Sequence, residues 1–295
     1  MLFVKLISLV TVLRVAISVY LGRKNKGNIS PYDHIVYENA TPVDIVVPMY
    51  NESDVILKTL KSLSVINYSN FRVIVIDDGS TDDSLQLVER NFGQYDNFVI
   101  LSQTNLGKAE ALNNAISAST GEIIICIDAD TLVKPNIINS FLPYFDNKDV
   151  AAVAGYVKVG NRINLITKIQ NIEYVTNQNY VRSIFDSVNG ILVVPGAVGA
   201  FRTSIIKQVG GYSSGTLTED SDLTFRIIKR GFVIKNSLDA IGFTEAPATL
   251  KMFCRQRVRW IVGNLQVLTK YRNSFFLMRI NFLGTLSFHI LGSLI

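Results

Sequence analysis

The chain of 295 residues contains two cysteines, two histidines and one tryptophan, and each scarcity removes a class of function. Cys126 and Cys254 lie far apart, so neither a disulfide scaffold nor a thiolate metal cluster has its ligands. Both read as buried small hydrophobes. His34 and His289 cannot build a multi-histidine metal site, and a Ser-His-Asp triad would have to draw on one of these two poorly placed residues. Acid/base chemistry therefore falls to carboxylates. Charge is also scarce, at 18% of residues against about 25% in ordinary soluble domains. No run of lysines and arginines is long enough to grip nucleic acid. The net charge of +5 suits an anionic lipid surface or a phosphate-bearing ligand.

Apolar residues are plentiful instead, at 48%, with a mean hydropathy of +0.27, which directs attention to the chain ends. Residues 2–21 are apolar apart from Lys5, Arg14 and a few hydroxyls, and at ~1.5 Å per residue they nearly cross a ~30 Å hydrocarbon core. Ser8, Thr11, Arg14 and Ser18 fall within roughly 120° of a helical wheel, as in a helix that lies in the interface or packs on other helices. The segment lacks a small-residue cleavage site and is followed by Arg23, Lys24 and Lys26, so 1–22 reads as a membrane anchor that leaves the next domain cytoplasmic. Residues 274–295 are again apolar, apart from Arg279, Asn281 and His289, and stop before a spanning helix would be complete. They read as a C-terminal transmembrane segment.

Between the ends the pattern changes. After a linker at 23–42, short β-rich runs (DIVVPM, FRVIVID, FVILSQ, EIIICID) alternate with helical stretches at 54–65, 82–92, 107–118 and after Pro135. This predicts an α/β domain over 43–247, built on a mostly parallel sheet buried on both faces. In such sheets ligands sit at the carboxyl ends of the strands, so candidate site residues are expected there.

The first ends in Tyr50-Asn51-Glu52, a polar helix start. The second ends in Asp77-Asp78-Gly79-Ser80-Thr81-Asp82, which serves either to cap the next helix or to contact a ligand such as a ribose or a base. The third leads to Lys108 at a helix N-terminus, where the macrodipole disfavours a cation unless an anion faces it; a phosphate is the natural candidate. Neither GxxxxGKS nor GxGxxG occurs, so a P-loop and a dinucleotide-binding dehydrogenase are excluded. The fourth ends in Asp128-Ala129-Asp130. If this stretch is extended, both carboxylates face one site, and Mg²⁺ or Mn²⁺ shared with substrate phosphates would relieve their repulsion.

Further along, Gly196–Arg202 is a run of small residues that allows close approach to the backbone. Thr218 is placed to cap a helix whose first turn holds Glu219, Asp220 and Asp222, with Arg226 four residues on; Asp222 reads as structural. Asp220, beside Glu219 and near the metal acids, suits a general base. On a predicted helix over 249–270, within a segment 248–273, Gln256, Arg259 and Trp260 share one face. There a guanidinium can fork onto phosphate and an indole can stack on a sugar.

In order, VPMYNE, DDGSTDDS, NLGKAEALNNA, DADT, TEDSD and QRVRW resemble the motif set of the inverting family 2 glycosyltransferases with the GT-A, Rossmann-like fold. The TED and QxxRW elements resemble the processive branch of cellulose, chitin, hyaluronan and poly-β-1,6-N-acetylglucosamine synthases, and the sequence around them looks closest to the last. The resemblance implies a UDP-sugar donor, N-acetylglucosamine as the sugar, Mg²⁺ or Mn²⁺, and a growing β-linked polysaccharide as acceptor. Tyr50, Glu52 and Asp78 would lie on the uridine side and Lys108 near the diphosphate. Asp128 and Asp130 would hold nucleotide and metal, Asp220 would be the base beside Glu219, Gln256 and Arg259 would hold the departing diphosphate, and Trp260 would stack on the acceptor. One departure stands out: exporting synthases of this branch line a channel with several transmembrane helices, whereas this chain shows one apolar segment at each end. The alternatives are helices beyond Ile295, a membrane export partner, or single-sugar addition to a lipid or glycan. A non-catalytic polysaccharide- or nucleotide-binding subunit is a further alternative.

Overall fold

The computed structural model describes residues 41–176, 181–187 and 189–272. The four β-rich runs form β1 (Val43–Met49), β2 (Phe71–Asp77), β3 (Phe98–Ser102) and β4 (Ile123–Ile127), connected by α1 (Ile56–Ser64), α2 (Ser84–Phe92) and α3 (Lys108–Ala118). Every pairing among these strands is parallel. Alternation along each strand divides the apolar side chains between two cores. Ile45, Val47, Val73, Val75, Ile123 and Ile125 pack on one face with α1 and α2. Val46, Ile74, Ile76, Ile124 and Cys126 pack on the other with α3. A strand that feeds both cores has no polar face, which is why these segments read as continuous apolar runs.

The second half completes an eight-stranded sheet in the order β3-β2-β1-β4-β7-β6-β8-β5, with β5 (Leu132–Val133), β6 (Val150–Val159), β7 (Val198–Arg202) and β8 (Val233–Thr244). Here the pattern departs from simple βα alternation: β7 inserts antiparallel between β4 and β6. The helices of this half are α4 (Leu165–Glu173), α5 (Val181–Asp186), α6 (Thr203–Gln208), α7 (Glu219–Lys229) and α8 (Leu250–Lys270). The helix expected directly after Pro135 does not form; turns lead into a 3₁₀ helix at Leu142–Asp146, where Pro143 removes the amide that a longer α-helix needs. Cys126 is buried as expected, but Cys254 is exposed on α8.

Most of the expected anchor and linker (1–40) and the C-terminal apolar segment (273–295) lie outside the described residues. Among the described residues no helix is long and apolar enough to cross a membrane.

One buried charge fastens the first half of the sheet. The Asp44 carboxylate, at the start of β1, accepts hydrogen bonds from Arg72 Nε (2.9 Å) and Nη2 (2.8 Å), from Ser119 Oγ (2.7 Å) and from the amides of Thr120 and Gly121. Burial would push its pKa up, yet the Arg72 guanidinium and these donors outweigh burial and hold it below the ordinary carboxylate value. Its stabilisation is therefore present above pH ~4 and is lost as pH falls through the lowered folded-state value. Asp44→Ala orphans these donors and is expected to cost about 3 kcal/mol, read as a lower urea midpoint with unchanged slope. An unchanged midpoint would show that water satisfies them equally well.

Candidate active site

The strand ends knit together before any ligand is considered. At the end of β1, Asn51 adopts a left-handed φ of 54°, and its side-chain oxygen accepts from the Thr81 amide (2.8 Å) while its own amide donates to Ser80 Oγ (2.9 Å). Glu52 donates its amide to Ser84 Oγ (2.8 Å). The VPMYNE and DDGSTDDS segments thus form one interlocked surface. Asp78 accepts from Gln103 Nε2 (2.7 Å) and from the amides of Leu106 and Gly107 (both 2.9 Å); it holds the loop that delivers Lys108. Gly107 in that loop has a φ of 91°, a conformation that glycine adopts without strain.

Lys108 opens α3, and the anion that this position calls for comes from the chain itself. Its Nζ lies 2.6 Å from Asp128 Oδ1 and 3.5 Å from Glu219 Oε1. Burial would strip its proton, but Asp128 and Glu219 outweigh burial and raise its pKa above the ordinary lysine value. Gly196 lies beside this contact, where a Cβ would be in ordinary van der Waals contact with Nζ at 3.4 Å.

Asp128 and Asp130 follow β4 in a turn closed by the Thr131 amide on Asp128 O (3.0 Å), so the extended geometry expected for them is replaced by a turn that still brings both to one cavity wall. Asp130 accepts from Thr131 Oγ1 (3.1 Å) and Thr244 Oγ1 (3.2 Å). Burial, and then the Asp128 charge, push its pKa to about 6. Burial, with the Asp130 and Asp128 charges next, takes Glu52 to about 7. This surplus of negative charge is what a divalent cation relieves. No cluster of three or more His, Cys, Asp or Glu able to hold a metal is found among the described residues, so a cation here would take Asp128 and Asp130 and fill its other positions from phosphate oxygens, as Mg²⁺ and Mn²⁺ commonly do. The residues fit such an ion.

Opposite stands α7. Thr218 occupies the N-cap position, but its hydroxyl makes no cap bond and has no partner; the first-turn acids complement the positive helix end instead. Asp220 Oδ1 accepts from the Ser221 amide (2.8 Å), and burial followed by the Glu219 charge raises its pKa to about 6. Asp222 is structural, as its spacing suggested: fully buried, it pairs with Arg226 (2.8 Å) and Lys270 (2.7 Å) and accepts from Tyr271 Oη (3.0 Å).

That cluster clamps α8 onto α7, assisted by Gln266 Oε1 accepting from the Leu217 amide (2.9 Å) and by Ser221 Oγ on Asn264 Oδ1 (3.0 Å). Gly263 is required at the crossing, because a Cβ there would lie 2.6 Å from Thr218 Cγ2 and 2.9 Å from its backbone nitrogen. Gly263→Ala is expected to cost about 1–3 kcal/mol through overpacking and to lower activity by tilting α8; a variant with unaltered melting temperature and turnover would show that the crossing yields freely.

The clamped helix presents Gln256, Arg259 and Trp260 to a cavity of about 270 Å³ that is also lined by Lys108, Asp128, Asp130, Glu219 and Asp220. Gln256 Oε1 is buried without a partner. The Trp260 ring is covered on one side by the Arg257 guanidinium, 4.5 Å from its centroid, and Tyr174 lies 6.5 Å away; Arg257 in turn pairs with Glu173. Tyr50, Glu52 and Asp78 do not line this cavity: Tyr50 is exposed, Asp78 is buried, and Glu52 reaches the site through its coupling to the two aspartates. Arg257 and Arg182, a buried cavity-lining arginine on α5, were not anticipated. Arg257 could have been noticed inside QRVRW, whereas Arg182 lies in no recognisable motif.

Residues 44–210 match the family described as glycosyl transferase family 2. The chain is 28% identical over 252 residues to the poly-beta-1,6-N-acetyl-D-glucosamine synthase of Staphylococcus aureus strain MSSA476, covering 85% of this chain and 61% of that protein. It therefore spans about three fifths of that relative's length. Among solved structures it resembles the mannosyltransferase PcManGT of Pyrobaculum calidifontis in complex with GDP-Man and Mn²⁺ (TM-score 0.75, 20% identity, 97% of this chain and 83% of that one). It also resembles S. aureus TarS 1–349 in complex with UDP-GlcNAc (TM-score 0.57, 18% identity, 77% and 66%). At these identities the structural likeness shows the fold, an α/β architecture on a mostly parallel sheet of the kind seen in those transferases.

Proposed function

This chain belongs to glycosyl transferase family 2, and from that premise we propose that it is an inverting, metal-dependent membrane enzyme that transfers N-acetylglucosamine from UDP-N-acetylglucosamine to a growing β-linked polysaccharide. The observation that carries the reading is the single cavity in which a raised-pKa carboxylate, Asp220, faces the Lys108–Asp128–Asp130 cluster while Arg259 and Trp260 close the wall. A base, a charge-stabilising cluster and a sugar platform are what glycosyl transfer needs in one place.

In the reaction, Asp220 accepts the proton of the acceptor hydroxyl as its oxygen bonds to the anomeric carbon. The bond from that carbon to the diphosphate oxygen breaks, and UDP leaves with the electron pair. Attack from the face opposite UDP gives the β linkage. Arg259, which makes no hydrogen bond or ion pair with the described residues, is free to hold the departing diphosphate, and Lys108 adds positive charge where negative charge grows. A divalent cation on Asp128 and Asp130 would neutralise diphosphate charge. Gln256 offers an unpaired carbonyl oxygen to a sugar hydroxyl, and the open side of Trp260 offers a stacking surface.

The proposed sugar and the proposed processivity rest on the relative's activity. Membrane association with a cytoplasmic catalytic domain is supported by the apolar stretches 2–21 and 274–295, by Arg23, Lys24 and Lys26, and by Ile163, Leu165, Ile169 and Ile172, which stand exposed around α4. The test is UDP release by the full chain in nanodiscs with Mn²⁺ or Mg²⁺, across UDP-N-acetylglucosamine, UDP-glucose, UDP-glucuronate and UDP-galactose, followed by product sizing. Release with the first donor and a long product supports the proposal. A product one sugar longer than the acceptor would reduce it to single addition, and full activity in EDTA would remove the metal. Failure to co-sediment with vesicles would remove the membrane.

A further inference from the structure

Arg182 is the least expected charge in the molecule. It lies on α5, only 6% exposed, and its Nη1 donates to Gly155 O at 3.0 Å. No other described residue forms a hydrogen bond or ion pair with it. A guanidinium carries five donors, and a buried one left largely unpaired is costly; burial here drives its pKa down to about 10. Its one favourable electrostatic partner is Asp220, which stands beyond ion-pair distance. The charge thus belongs to the base's side of the cavity. Tyr174, Phe185, Ile191 and Trp260 line the same cavity, an aromatic and aliphatic setting suited to one face of a sugar and to a small methyl group.

The missing partner is an oxygen, and the surroundings say which kind. The cavity wall carries six carboxylates against three cations, so a further anion, such as the carboxylate of a uronic acid, would be repelled on balance. A hydroxyl is a weak acceptor for a buried cation. An amide carbonyl is neutral, accepts strongly through two lone pairs, and brings a methyl group that the apolar neighbours can cover. We infer that Arg182 is an acceptor-positioning residue: its guanidinium holds the acetamido carbonyl of the acceptor's terminal sugar and thereby aligns the attacking hydroxyl with Asp220.

This inference rests on the proposed transfer to a β-linked N-acetylglucosamine chain. It predicts that acceptor choice, rather than donor choice, runs through Arg182. The experiment compares full-length wild type and Arg182→Gln in nanodiscs, with UDP-N-acetylglucosamine and two acceptors: short β-1,6-linked N-acetylglucosamine oligosaccharides, and the same oligosaccharides with free amino groups. Wild type should prefer the acetylated acceptor. In Arg182→Gln the half-saturating concentration of acetylated acceptor should rise tenfold or more, the size of effect expected for a lost charge-assisted hydrogen bond. The preference should collapse while UDP binding by calorimetry is unchanged. If Arg182→Gln does not fold, Arg182→Lys, which keeps the charge but loses the fork, should weaken the preference in the same direction. Equal loss on both acceptors, or an intact preference, overturns the inference. A wild type that transfers nothing from any UDP-sugar sinks the functional reading itself, a distinct outcome.

Discussion

Asp220→Asn is expected to lower transfer about a thousandfold, the middle of the range for loss of a general base, without weakening UDP binding. The amide keeps the size of the carboxylate and can still accept from the Ser221 amide, so the structure around α7 has no reason to change; what it cannot do is take a proton. The same group sets the pH dependence. Burial and the Glu219 charge place Asp220 at about 6, and burial with the Asp128 charge places Asp130 at about 6 as well. A carboxylate with a raised pKa is protonated, and unable to act as a base, below that value. The kcat/KM profile should therefore rise with pH up to about 6 and flatten above it, with apparent values that belong to the coupled cluster. An Asp220→Asn enzyme that retains a tenth of wild-type activity would assign the base elsewhere.

Lys108→Met tests the other side of the cavity. Lys108 neutralises Asp128 and Glu219 at 2.6 and 3.5 Å, and its charge lowers the pKa of both Asp130 and Asp220. Its removal is expected to cost about a hundredfold in kcat, comparable to loss of one preorganised charge donor, and to move the acid limb of the profile to higher pH. Met keeps most of the aliphatic length and loses the ammonium group, so the two effects report on charge. A slower enzyme whose acid limb has not moved would mean that Lys108 acts only through shape.

The two sides of the cavity were not equally visible in the sequence. β1 to β4 were legible because a parallel strand buried on both faces has to be an uninterrupted apolar run, and because ligands in such sheets sit at the strand ends where the carboxylates and the lysine cluster. Lys108 illustrates the limit of that reasoning: a phosphate was the natural partner from spacing, whereas Asp128 and Glu219, which pair with it, come from points in the chain that local spacing does not connect. β7 escaped notice because VGAFR is short, and its antiparallel insertion between β4 and β6 depends on partners on both sides. The stretch after Pro135 was misjudged because its apolar spacing is helical while Pro143 forbids the continuation. Arg182 was invisible for a different reason: its meaning comes from burial with a single hydrogen bond, to Gly155 O, and a sequence shows neither.

The insertion of β7 also dictates an order of assembly on the ribosome. β1 and β2 can pair as soon as both have emerged, but Ile127 must wait for Val198, and Leu132 for Phe243. Until then the inner edge of β4 is an open strand without neighbour, a place where nascent chains stick to one another. The contacts that α7 and α8 make with each other, through Asp222, Lys270 and Tyr271, form only when synthesis has passed residue 270. A ribosome stalled earlier would carry a sheet whose shared core, which runs from Val43 to Ala246, is still incomplete.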